Sequence, residues 1–332
     1  MVKVVYNEAR ILPVKIMKSN EIPSVSKSVQ RVSIHADEAE QRLDNYLLRA
    51  LKGVPKSHIY RLCRTGQVRV NGGRVKPSYR IQPEDEIRIP PVRMAPAKTP
   101  VVNSRLAANL GDSIIYEDDY LLVINKPSGI AVHGGSGISL GVIEALRLLR
   151  PECRHLELIH RIDRETSGLL LIAKTRAVLR QAHALLRENK VEKQYLAVVK
   201  GHWPRQLTHI EAALQKNILS SGERMVRVST QGKPAMTEIV SVEHFASTSL
   251  LTIKLHTGRT HQIRVHAQHV GYPIVGDEKY GDKEFNAWYR GIGGHRLFLH
   301  AHSITVPLDY YETPLHITAP LDKEMTTLFS LL

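Results

Sequence analysis

Cysteine is scarce in this sequence, with only Cys63 and Cys153 among 332 residues, far apart and without any CxxC spacing. That usage argues against a disulfide framework and a thiolate zinc site, and it suits a reducing compartment. Long apolar runs are missing as well. Nothing approaches the roughly 20 residues needed to cross a bilayer. The N-terminal stretch carries charges but no signal-type apolar core. A cytoplasmic protein without membrane contact is expected. The glycine-rich VHGGSG at 132–137 could cradle a phosphate, but it lacks both the GK[ST] of a nucleotide-triphosphate loop and the GxGxxG fingerprint. No HExxH helix occurs either, which removes the usual zinc-protease reading.

Negative charge is also in deficit, since 46 Lys and Arg face 32 Asp and Glu for a net charge of +14. The imbalance is local. Residues 31–100 hold 14 basic and 7 acidic residues, residues 1–30 hold 5 and 2, and the remaining 232 positions hold 27 and 23. A small basic module joined to a nearly balanced body points to a polyanion-binding domain beside a domain with another task. Residues 1–28 show no sustained period and read as a flexible basic arm. Within 31–93, a helix is expected over 41–50 and a second, capped by Ser57, ending at Gly66. Asn71-Gly72 between Val68–Val70 and Arg74-Val75 is a hairpin signal, and Glu86–Ile89 reads as a strand. The helix and hairpin carry Lys56, Arg61, Arg64, Arg69, Arg74 and Lys76 as candidate phosphate contacts. Residues 94–111 contain prolines without periodicity and read as a linker, so a second domain is expected over 112–332.

In that domain one stretch concentrates chemistry. His160, Arg161, Asp163, Arg164 and Glu165 crowd ahead of Thr166-Ser167-Gly168 and the apolar run Leu169–Ala173, which suits a strand buried on both faces. Charges at the mouth of a buried strand are costly unless paired, so the cluster marks either a functional site or a solvated turn. Around it, paired strands are expected at 114–116 and 121–124, a helix over 142–149, a Thr175-capped helix, and strands near 192–201, 250–256 and 297–306. A helix capped by Thr260 is expected through His261–Val270. Residues 202–248 are less informative, with Lys233 in a basic loop. The histidines at 256, 261, 266 and 269 invite a metal reading, but 261 and 266 diverge on a helix and no cysteine accompanies them, so no metal is expected.

The ordered segments carry a resemblance. QRLDNYL, IYRLCRTGQVRVNGGRV and EDEIRIP between residues 41 and 90 resemble the S4 RNA-binding domain. HRIDRETSGLLLIAKT at 160–175 resembles the signature motif of the RluA-type pseudouridine synthases. NKPSGIAVHGG at 125–135, EKQYLAVVKG at 192–201 and TGRTHQIRVHAQHVGYPIVGDEKYG at 257–281 resemble that family's other motifs in the same order. The resemblance implies an α+β chain, a small S4 domain followed by a catalytic domain built on a mixed, mostly antiparallel sheet flanked by helices. It implies uridine isomerisation without a cofactor, through base flipping, glycosidic cleavage, uracil rotation and C1′–C5 rejoining. Asp163 would be the catalytic aspartate, as nucleophile or as base. Tyr195 would stack on the target base and help remove its C5 proton. Arg264 would be the buried cation beside Asp163, and Arg161 would fill the space left by the flipped base. Lys126, His133, Lys193, Lys233, Arg259 and His261 join the S4 residues as candidate RNA contacts. The AVHGGSG form of the first motif is similar to the branch acting on large-subunit rRNA, so 23S rRNA is the expected partner of a monomeric enzyme. Two other classes compete. A non-enzymatic RNA binder would not need Asp163, Arg161, Tyr195 and Arg264 together, and a glycosidase would need two functional carboxylates.

Overall fold

The computed structural model describes residues 28–35, 38–51, 53–92, 110–134, 140–153, 155–218 and 224–329. The expected basic arm, all but its last residue, and nearly all of the expected linker lie outside the described residues. The chain divides into two compact units, residues 1–99 and 100–332.

In the first unit, strands β1 (Gln30–Ser33), β2 (Arg69–Val70) and β3 (Glu86–Ile89) form an antiparallel sheet in the order β1-β3-β2. Two helices, Leu43–Ala50 and Lys56–Arg64, bury Leu43, Tyr46, Leu47, Ile59, Leu62 and Cys63 in a single apolar cluster. The second helix starts two residues earlier than a Ser57 cap would place it. Pro55 precedes it, and its carbonyl accepts the amides of His58 and Ile59 at 2.9 and 3.1 Å. The Asn71-Gly72 turn forms with both residues at positive φ, 50° and 76°. However, Arg74-Val75 does not continue as a strand. Asn71 instead donates to the buried Asp85 at 2.7 Å and accepts from Glu86 N at 2.8 Å, which ties the turn to β3 and makes β3 the partner of β2. Lys56, Arg61, Arg64, Arg69, Arg74 and Lys76 are all exposed.

In the second unit the strands are β4 (Ile114–Glu117), β5 (Leu121–Lys126), β6 (Glu157–Leu158), β7 (Ser167–Ala173), β8 (Glu192–Lys200), β9 (His209–Glu211), β10 (Leu214–Ile218), β11 (Arg224–Val228), β12 (Met236–His244), β13 (Thr248–Leu255), β14 (Leu299–Val306) and β15 (Leu315–Thr318). Ten of them form one sheet in the order β4-β5-β7-β14-β8-β13-β12-β9, with β6 on β7 and β15 on β14; β10 and β11 form a separate ribbon. Every pairing in the large sheet is antiparallel except β7 with β14. All seven residues of β7 are buried, as its apolar run demands. Helices Val142–Leu149 and Arg176–Arg187 contribute buried residues to the same core as β5 and β7. Thr175 caps the latter by accepting from Val178 N at 3.3 Å. Among the described residues no helix is long and apolar enough to cross a membrane.

The parallel seam depends on one glycine. Gly168 has φ +104°, and a Cβ there would lie 2.2 Å from the carbonyl oxygen of Ala301 on β14. Only glycine lets these two strands close to pairing distance. Across the sheet Gly168 pairs with Ala301, Ala301 with Tyr195 of β8, and Tyr195 with Ile253 of β13. This row sets the turn that precedes β7 beside the middle of β8.

Candidate active site

The turn carrying Asp163 is held from behind. Lys126, at the end of β5, is fully buried and donates to the carbonyls of Pro127, Ile130 and Arg164 at 2.7, 2.9 and 3.0 Å. Burial pushes its ammonium down to about 7, yet only the charged form can donate to all three acceptors. Ser128 donates to Glu165 O at 2.6 Å, and Gly129 N to Arg164 O at 2.9 Å. Lys126 is therefore a brace, and its placement among the RNA contacts is corrected. A long aliphatic stem between strand and turn can reach inward as easily as outward, and the buried register of β5 decides it. His160 also faces inward. Its Nε2 accepts from Leu171 N at 3.2 Å, and burial, helped by the nearby Lys193 charge, pushes it down to about 4.

Asp163 opens into a cleft lined by Arg161, Ile162, Thr166, Tyr195, Arg259, His261, Arg264 and Leu299, among others. Its side chain is 25% exposed. Arg264 Nη1 lies 3.8 Å from Asp163 Oδ2, and His261 Nε2 lies 4.0 Å from the same oxygen. The Arg264 side chain is 7% exposed, and its two shortest bonds go elsewhere: Nε and Nη2 each meet the Asp277 carboxylate at 2.7 Å. Asp277 is 1% exposed and also accepts the amides of Lys279 and Tyr280, both at 2.9 Å. The guanidinium is thus clamped by one carboxylate and presents its remaining nitrogen to another. Tyr195 lines the cleft from β8. Burial raises its phenol far above the ordinary range, and the Asp163 charge adds to the effect.

The helix Gln262–His269 explains why so many polar residues recur in THQIRVH. Gln262 accepts from Thr257 Oγ1 and Arg259 N at 2.8 and 3.0 Å, and donates to Met236 O at 2.9 Å, locking the loop ahead of the helix. This glutamine, rather than a Thr260 cap, organises the helix entry, and His261 before it is left-handed at φ 54°. His266 is fully buried between Thr237 Oγ1 and Ala212 O, both at 2.9 Å. His256 pairs with Glu238 at 2.7 Å. The histidines go to separate partners, and among the described residues no group of three His, Cys, Asp or Glu could hold a metal ion.

Of the other candidate contacts, Arg161 and Arg259 are exposed at the cleft, with Arg259 Nε donating to Pro234 O at 3.0 Å. His133 and Lys233 are exposed but do not line it, and Lys193 is half-buried. Residues 135–139 of the glycine-rich segment lie outside the described residues. At its borders the Gly134 and Gly141 amides donate to Glu144 at 3.0 and 2.9 Å, so a carboxylate of the chain already occupies these donors. Asp277 and Tyr280 were not legible as site residues. A buried arginine demands a carboxylate partner, and GDEKYG at 276–281 supplies one, which is the signal that could have found Asp277.

Residues 120–269 match the RNA pseudouridylate synthase family and residues 41–87 match the S4 domain. Ribosomal large subunit pseudouridine synthase C of Haemophilus ducreyi is 53% identical over 92% of this chain and 97% of its own length. The chain belongs to the RNA pseudouridylate synthase family. It is accordingly an isomerase with an S4 domain ahead of its catalytic domain. The Escherichia coli K12 protein of the same name is also 53% identical, over 89% of this chain and 94% of its own. Among solved structures, human RNA pseudouridylate synthase domain containing 4 superposes with a TM-score of 0.56 at 26% identity, covering 68% of this synthase and 95% of that chain. The human domain containing 1 protein gives 0.53 at 29% identity, covering 65% and 85%. The mixed sheet flanked by helices agrees with the fold expected from the sequence.

Proposed function

We propose that this synthase converts uridines of large-subunit (23S) ribosomal RNA to pseudouridine, with Asp163 as the reactive carboxylate. The observation that carries the reading is the meeting of Asp163, Arg264 and Tyr195 in one cleft from three separate segments. The 53% identity to ribosomal large subunit pseudouridine synthases C, extending through both units, supports the choice of RNA. Such a substrate places the enzyme in the cytoplasm. The enzyme is taken to act as a monomer.

The reaction breaks C1′–N1 and forms C1′–C5. The C5 proton is lost and N1 gains one, so composition is unchanged and neither electrons nor a phosphoryl donor is required. Asp163 serves either by attacking C1′, giving a bond that C5 later displaces, or by taking a ribose proton. Both uses need a carboxylate close to the sugar, with the Arg264 charge beside it. The cleft encloses about 100 Å³, against roughly 300–1,000 Å³ for sites that enclose drug-sized ligands. That space suits one ring extruded from the RNA, with Arg161 at the rim to fill the vacated position. Tyr195 is held as the phenol, so stacking on the base is the role its surroundings favour. The exposed basic residues of the first unit supply phosphate contacts.

The test is Asp163→Asn, which keeps shape and removes charge. The variant is expected to fold, to bind in vitro transcribed large-subunit rRNA, and to yield no pseudouridine by carbodiimide labelling and primer extension. Appreciable turnover would overturn the mechanism.

A further inference from the structure

His261 occupies a conformation that histidine rarely adopts, left-handed at φ 54°, and such strain persists only where the surroundings hold it. Its Nδ1 lies 2.8 Å from the hydroxyl of Tyr280, and the two rings meet edge to face at 5.5 Å. Tyr280 is itself buried, with Arg264 5.1 Å above its ring. The proton count around this hydroxyl decides the imidazole tautomer. Val226 N donates to Tyr280 Oη at 2.9 Å, so the oxygen already accepts one hydrogen bond. The hydroxyl's own proton then has His261 Nδ1 as its acceptor. The reverse arrangement would aim two donors at one oxygen and strand the phenolic proton. Nδ1 is therefore the acceptor, and the ring proton sits on Nε2.

That Nε2–H faces the cleft, 4.0 Å from Asp163 Oδ2. The separation is too long for a hydrogen bond and leaves the donor available. Burial, aided by the Arg264 and Lys279 charges and opposed by those of Asp163 and Asp277, holds the imidazole below its ordinary value and hence neutral. When C1′–N1 breaks, its electron pair passes to uracil N1 and delocalises onto O2 and O4. O2 is the carbonyl adjacent to N1, and so the one nearest the sugar on which Asp163 acts. Developing charge there is stabilised best by a fixed donor that does not surrender its proton.

We infer that His261 is a further catalytic residue, its Nε2–H donating to uracil O2 as the glycosidic bond breaks, and that Tyr280 is the positioning residue that sets its tautomer. The inference rests on the reading of Asp163 above. Two substitutions separate the contacts of the ring. His261→Asn keeps a polar group near Nδ1 for Tyr280 but loses the donor at Nε2, whereas His261→Gln reaches the Nε2 position but loses Tyr280. Single-turnover rates would be measured on RNA carrying uridine or 2-thiouridine at a mapped target, since sulfur is a poorer acceptor. His261→Asn and His261→Ala are expected to slow the uridine reaction on the order of a hundredfold, with RNA affinity nearly unchanged. His261→Gln should recover at least tenfold of that loss. Wild type should be slowed by the sulfur, and His261→Asn should not be slowed further. A wild-type rate for His261→Asn, or the full sulfur penalty in that variant, would overturn the assignment. If Asp163→Asn turned over, the underlying reading would fail. If Asp163→Asn were inert and His261→Asn fast, only this inference would fall.

Discussion

Replacing Arg264 by methionine keeps an extended side chain of similar reach and removes all three nitrogens. Asp277, 1% exposed, would lose both 2.7 Å charge-assisted bonds and retain only the Lys279 and Tyr280 amides. Removing one partner of a buried ion pair costs about 3–5 kcal/mol, because the remaining charge is stranded. For a folded unit of this size each kcal/mol shifts Tm by about 2–4 °C, so a fall of about 6–20 °C is expected by differential scanning fluorimetry. The pH dependence has a definite sign. Burial works against ionisation of Asp277, but the Arg264 bonds and charge, with the two amides, hold it below the usual carboxylate range. A carboxylate depressed in the folded state stabilises above its unfolded value, about 3.9, and that contribution is lost as pH falls toward the folded one. Arg264→Met should therefore narrow the gap to wild type only in strong acid. Asp163 would lose the cation 3.8 Å away in the same substitution, so pseudouridine formation should fall with stability. Arg264→Lys keeps a charge without the planar fork and should lie between the two. An unchanged Tm for Arg264→Met at neutral pH would refute this account of the buried pair.

Alanine at Arg61, Arg64, Arg69 and Arg74 together should leave the fold intact and lower the salt slope of RNA binding by about 3, at 0.7–0.9 per phosphate contact; an unchanged slope in a filter-binding titration would remove this unit as the RNA anchor. Gly168→Ala should cost about 3 kcal/mol or more, since its Cβ would meet the Ala301 carbonyl and its φ is +104°; a normal melting curve would refute the seam argument. Burial holds His160 and His300 down to about 4, from an ordinary 6.5. The unfolded chain binds more protons between those values, so stability should decline as pH falls from about 6.5 toward 4, by on the order of 1.4 kcal/mol per pH unit for each histidine. His300→Gln should flatten that decline; an equally steep one would show that other groups drive it.

The elements that carry strong local signals were legible along the chain. The buried run Leu169–Ala173 of β7, the Thr175 cap, the Asn71-Gly72 turn and the exposed arginines of the first unit all follow from short-range pattern and residue chemistry. The polar-rich strand Met236–His244 did not announce itself, because only its first half alternates between buried and less buried positions. Helix entries were misread at Ser57 and Thr260, where a proline carbonyl and the Gln262 side chain did the work assigned to hydroxyls.

What the sequence by itself determined is the type of chemistry available: a carboxylate flanked by arginines ahead of a buried strand, a basic module, and no cofactor motif. Only the tertiary structure decided which groups meet. Lys126 could have reached solvent or core, and the register of β5 against β7 turned it inward onto three carbonyls. Arg264 needed an acid, and the chain beyond its helix delivered Asp277 as the tight partner, leaving Asp163 the longer contact. His261 read as one of several basic contacts until the fold set its ring 2.8 Å from the Tyr280 hydroxyl and at the cleft beside Asp163. Each of these outcomes depends on pairing between residues remote in sequence, and a one-residue slip in strand register would reverse it.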